Sequence, residues 1–225
     1  YNTHLYETVE LMAPAHICIA FGPLAVYLLL MGLINALRRP FITTGARDLF
    51  SLSIALSGLV MVGPINLFVP DSALSVFGPW AWVLLFALYM LVSLLIGISC
   101  RPRLVIYNLS SEQLKSVLGR LVAQLDPDAR WAGDSVELPN LGMQLSIDKR
   151  NAMRSCQIIA IGIEQNQANW SKLKRELATE LTNVKVTTNP YAISMIAAAL
   201  VLGTLIAQQI IENHSLVYNQ LRDWL

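Results

Sequence analysis

The sequence predicts an integral membrane α-helical protein with four transmembrane helices and a small α/β domain inserted between the third and the fourth. Three observations predict it. The 225 residues are 55% hydrophobic and only 14% charged, against roughly a quarter charged in an ordinary soluble domain. The apolar residues gather in four blocks of about 20, the length that crosses the hydrocarbon of a bilayer. Between the third and fourth blocks the pattern turns polar, with strand and helix periodicities in alternation.

Residues 1–100 form the N-terminal membrane part, with helices over about 13–37, 49–69 and 80–100. Leu5, Val9 and Met12 give the first helix an amphipathic lead-in. Its apolar block lacks a basic flank and is too long for a signal peptide, so it reads as a span. Pro14 sits where a missing N–H costs nothing. Pro23 lies deeper and predicts a kink unless neighbours satisfy the carbonyl it frees. Arg38-Arg39-Pro40 closes the helix, and a short basic loop with Arg47 follows. The second helix carries Gly63-Pro64, a second kink signal. The third begins Trp80-Ala81-Trp82, runs uncharged to Ser99 and meets Arg101-Pro102-Arg103. Trp80 and Trp82 suit one membrane interface as anchors; Arg101 and Arg103, with Arg38 and Arg39, suit the other.

Residues 101–190 predict an α+β domain of order β-α-β-β-β-α. Leu104–Tyr107 reads as a strand. Ser110 with Gln113 makes a capping box, and Leu114, Val117, Leu118, Leu121, Val122 and Leu125 form one helical stripe. Val136 and Leu138, then Met143, Leu145 and Ile147, alternate on either side of Pro139-Asn140, which predicts a hairpin. A short further strand is expected near Trp131. Cys156–Ile163 is nearly all apolar, as a central strand should be. Trp170, Leu173, Leu177, Leu181 and Val184 mark a second amphipathic helix. The two helices are expected on one face of an antiparallel or mixed sheet. Residues 191–211 form the fourth transmembrane helix. In the tail 212–225, Val217, Leu221, Trp224 and Leu225 make a narrow apolar stripe that fits the outer membrane surface or a partner.

Charge sets the orientation. Of the 16 Lys and Arg residues only Arg222 falls outside the 38–47 loop and the 101–190 domain. The opposite side carries Glu7, Glu10, Asp71, Glu212 and Asp223. The positive-inside rule then makes 101–190 cytoplasmic and both termini external, in a multi-pass protein of the cell (inner) membrane.

No chemistry stands out. The membrane helices hold no carboxylate or cation in their middles, which argues against active ion transport by one subunit. Asn35, Asn66 and several serines are the polar groups there, in no pairing pattern. The inserted domain has no histidine, which rules out a Ser/His or Cys/His dyad within it. Its carboxylates, Asp126, Asp128, Asp134, Glu137, Asp148 and Glu164, read as solvated. Its glycines make no phosphate loop. Cys18, Cys100 and Cys156 read as buried free thiols. The formal charge is +1, and the basic clusters Lys149-Arg150/Arg154 and Lys172/Lys174-Arg175 lack interleaved aromatics, so no nucleic-acid role is expected. No catalytic, metal or cofactor residue is assigned.

Two features favour contact with other membrane helices. Ala199, Gly203 and Ala207 form a small-xxx-small ridge on the fourth helix, and Ser53 and Ser57 do something similar on the second. The expected function is a non-catalytic membrane subunit that scaffolds or docks onto a larger assembly, in contact with lipid and with other subunits or copies of itself. The alternatives are a pore or transport component whose pathway forms on oligomerisation, for which Pro23, Pro64, Asn35 and Asn66 speak, and an electron-transfer subunit with haem between His16 and His214. The orientation has a direct test. A cysteine placed in the 70–79 loop should be labelled by an impermeant reagent from outside, and Asp134→Cys should not; reversed labelling contradicts the charge argument.

Overall fold

The computed structural model describes residues 14–65, 76–78, 80–148, 155–162, 167–187 and 189–218. Asp71, Asn66, the cluster at 149–154 and the tail residues Leu221, Trp224 and Leu225 lie outside them. Four helices are long and apolar enough to cross a membrane: α1 (Pro14–Ala36), α2 (Gly45–Val60, the span continuing to Gly63), α3 (Trp80–Ser99) and α6 (Tyr191–Glu212). α2 does not end cleanly. It passes into a π-helical turn, Met61–Ile65, at the Gly63-Pro64 kink signal, where proline has no N–H to continue the ladder. α1 runs on through Pro23 as one helix.

The chain divides into two compact units. The first contains 1–30, 50–95 and 195–225, the greater parts of the four apolar helices. The second contains 31–49 and 96–194. It therefore includes one end of each apolar helix as well as the inserted segment.

The second unit is built on a six-stranded, wholly antiparallel sheet in the order β1-β2-β6-β5-β4-β3. Its strands are β1 (Phe41–Thr44), β2 (Arg103–Tyr107), β3 (Arg130–Ala132), β4 (Ser135–Leu138), β5 (Met143–Asp148) and β6 (Cys156–Ile161). β3 is the short strand around Trp131. β1 is a correction: the basic loop after α1 is in part a strand, and it extends the sheet beyond 101–190. Four residues at a sheet edge give too little alternation to be recognised.

α4 (Ser111–Leu125) is started by the Ser110/Gln113 capping box, with each side chain meeting the other residue's backbone N–H at 3.3 Å. α5 (Gln167–Thr182) follows β6. Both helices bury their stripes in one core: Leu114, Leu118 and Leu121, with Leu173, Leu177 and Leu181, meet Leu104, Ile106, Leu145 and Ile158. Of the helical stripes, Leu125, Trp170 and Val184 are only half-buried and pack at the rim of this core. The β3–β4 hairpin turns on Gly133, whose φ of 65° suits glycine. The β4–β5 turn closes with the Gly142 N–H on the Pro139 carbonyl at 3.2 Å.

Strand alternation gives β2 two distinct faces. Leu104 and Ile106 point into the helix-covered core, so Arg103, Val105 and Tyr107 point the other way. That second face meets the first turn of α2. The Tyr107 hydroxyl donates to the Asp48 carboxylate, and Gly45 lies against the Arg103 side chain.

Candidate functional site

Among the described residues of the first unit α1 and α2 approach closely, through a proline–glycine device. Pro23 has no N–H, so the Ile19 carbonyl one turn earlier lacks its helical donor. Gly58 on α2 packs against that carbonyl: a Cβ at position 58 would overlap the Ile19 oxygen and reach the Ala20 carbonyl oxygen at 2.9 Å. Ala20 and Ala55, 2% and 1% exposed, flank the approach and allow it. Ser57 is buried beside Gly58 and turns its hydroxyl back to the Ile54 carbonyl at 2.8 Å. Ser53 offers its carbonyl to the Tyr89 hydroxyl of α3, also at 2.8 Å. The residue that lets α1 and α2 touch is thus Gly58, which sequence spacing did not single out. The signal is split between two helices: Pro23 frees a carbonyl on α1, and a glycine on α2 lets backbone approach it closely.

The α6 ridge is arranged differently. Ala199 is buried, but Gly203 and Ala207 are exposed, and nothing lies within 4 Å of a Cβ placed on Gly203. Beside the ridge runs an apolar groove of about 340 Å³, walled on the far side by Ala25, Val26 and Leu29 of α1. Lipid tails gain little from such a groove, whereas a helix gains contact along its length. α6 is also the least covered of the four apolar helices.

In the second unit Asn35, which showed no pairing pattern in the sequence, has a partner. Asn35, 1% exposed, accepts from the Asn189 side chain at 3.0 Å and donates to the Met31 carbonyl at 2.9 Å. This corrects the reading of Asn35 as a polar group without a partner. Its mate is 154 positions away, beyond the reach of any local pattern. Asn108, at a φ of 63° and buried, donates to the Leu37 carbonyl.

The anchors separate by environment. Trp80 is 71% exposed and Trp82 half-buried at the start of α3; Arg38, Arg39 and Arg101 are exposed. Arg103 is half-buried, and its Nε is shielded from solvent without a hydrogen-bond partner.

Two of the candidate reactive groups are committed to structure. Asp126 is not solvated, as its neighbours had suggested, but fully buried. Its oxygens accept from the Asn140 N–H at 2.9 Å, the Asn140 side chain at 2.7 Å and the Asp128 N–H at 3.0 Å. It therefore braces the β4–β5 turn. Cys156 is buried and donates to the Leu109 carbonyl at 3.1 Å; burial pushes its thiol up to about 11, which keeps it neutral and unreactive. Cys18 is half-buried and Cys100 exposed, rather than buried as the sequence suggested. His214 is exposed. Among the described residues no three of His, Cys, Asp and Glu come together as a metal site. Compared with protein-family models, curated proteins and solved structures, the chain matches none.

The α1–α2 contact yields a test. Gly58→Leu must drive a side chain into backbone that cannot move aside, at a cost of roughly 1–3 kcal/mol or more, read as a lower unfolding temperature in detergent. Gly22→Ala has open space around it and should leave the temperature unchanged or slightly raised. Equal tolerance of both substitutions contradicts the assigned contact.

Proposed function

We propose that the protein is a non-catalytic subunit of the cell membrane that docks onto or scaffolds a larger membrane assembly, with both termini outside and residues 101–190 in the cytoplasm. The observation that carries this reading is the α6 ridge. Ala199, Gly203 and Ala207 line an apolar groove that the chain's own helices leave open. The scarcity of reactive groups, with Asp126 and Cys156 committed to structure, supports it. Docking through the ridge also accounts for a small-residue face on the least covered helix. The lopsided Lys and Arg distribution supports the orientation.

Extraction in mild detergent followed by mass measurement tests this directly. The expected result is a particle heavier than one 24.9 kDa chain, either with a co-purifying membrane protein or with further copies of itself. Gly203→Leu should reduce that mass while leaving the chain's own unfolding temperature unchanged, since no described residue would meet a Cβ placed there. A lone monomer, or a Gly203→Leu variant with undiminished assembly size, contradicts the proposal.

A further inference from the structure

The second unit contains a cavity of about 300 Å³ at the junction of β1 with α2 and of α3 with β2, lined among others by Thr44, Gly45, Arg101, Arg103, Trp170 and Ser171. Its size falls at the lower end of small-ligand sites, about 300–1,000 Å³. Its charge is one-sided. Two arginines line it and no carboxylate does. Neither arginine has an ion-pair partner among the described residues.

Arg103 is the more telling of the two. Its Nε is buried with no acceptor, an arrangement that costs free energy unless something supplies one. Its stem occupies the space that a side chain at position 45 would need, with Cδ 2.7 Å from a Cβ built there. Gly45 thus holds the guanidinium against the first residue of α2, whose leading N–H groups have no helical acceptor and carry partial positive charge. The first-turn carboxylate of α2, Asp48, takes the Tyr107 hydroxyl. An anion between two cations at a positive helix end is favoured by all three. Thr44 and Ser171 add hydroxyl groups to the same wall.

We propose that this cavity binds a phosphate group, held by the guanidinium groups of Arg101 and Arg103 and by the first N–H groups of α2. A tetrahedral phosphate offers acceptors in several directions at once, and guanidinium engages it through two parallel donors. The group could belong to free phosphate or to the headgroup of an anionic lipid, because both α2 and α3, helices long enough to cross a membrane, end at the cavity.

The full-length protein distinguishes the sources. In detergent at fixed ionic strength, inorganic phosphate replaces chloride and the unfolding temperature is followed. In nanodiscs, phosphatidylcholine alone is compared with phosphatidylcholine containing phosphatidic acid. A saturable rise with inorganic phosphate identifies a free-phosphate site; a rise confined to phosphatidic acid identifies a lipid site. In either arm Arg101→Gln and Arg103→Gln should each weaken binding about tenfold or more. Arg130→Gln, on the exposed strand β3, should bind as the parent does. Arg101 is exposed, so its substitution leaves folding intact and decides the matter even if Arg103→Gln is unstable. The proposal is overturned if neither probe raises the temperature, if Arg101→Gln binds as the parent does, or if Arg130→Gln loses as much as Arg101→Gln.

Discussion

The pairing of β1 with β2 is the interaction on which the rest of the second unit depends. Phe41–Thr44 lies between two apolar helices, and it pairs residue for residue with Leu104–Tyr107, which follows a third. There is no slack on the α2 side, since Thr44 ends the strand and Gly45 begins the helix. Closing so long a loop costs entropy, but each doubling of its length adds only about 0.6 kcal/mol. Side-chain and backbone ties share the load. Tyr107 meets Asp48, Asn108 meets the Leu37 carbonyl, the Phe41 and Tyr107 rings sit 6.4 Å apart, and the Val186 N–H reaches the Arg38 carbonyl at 3.4 Å. With Asn35 and Asn189 joined as well, the ends of all four apolar helices that belong to this unit are connected to one sheet.

That arrangement explains why the two candidate surfaces differ in kind. At the sheet, segments from separate helices converge, and convergence of polar termini produces a charged cavity around Arg101 and Arg103. In the first unit, contact depends on the removal of side chains. Gly58 accommodates the carbonyl that Pro23 frees, whereas Gly203 removes a side chain and meets none of the described residues. One glycine completes an internal contact; the other leaves a groove.

What could be read in the sequence follows the range of each signal. The apolar blocks, the capping box at Ser110 and the stripes on α4 and α5 are local patterns, each repeated over several turns, and the corresponding elements were legible. β1 was not, because four residues beside a basic loop carry no periodicity, and their strand state is imposed by a partner some 60 positions away. Asn35 looked unpaired for the same reason. Asp126 looked solvated because a carboxylate beside a proline usually caps a helix into water; here it turns inward to Asn140. On α2 the serines drew attention, but the residue in closest contact is Gly58, whose role becomes visible only when the helix opposite, with its proline, is considered together with it.

The central claim, that a strand between α1 and α2 completes the sheet and ties the helix ends to it, is tested most directly by cross-strand disulfide formation. With Cys18, Cys100 and Cys156 replaced by alanine, Ile42→Cys is combined with either Ile106→Cys or Leu104→Cys. Opposed residues of an antiparallel pair have Cα atoms about 4.5–5.5 Å apart, within disulfide range, while a partner two positions along is about 7–8 Å away. Ile42 is opposite Ile106, so the 42/106 pair should cross-link readily under mild oxidation and the 42/104 pair should not. Failure of 42/106 to cross-link, or equal cross-linking of both pairs, would show that β1 does not hold this register and that the sheet does not bind the helices together.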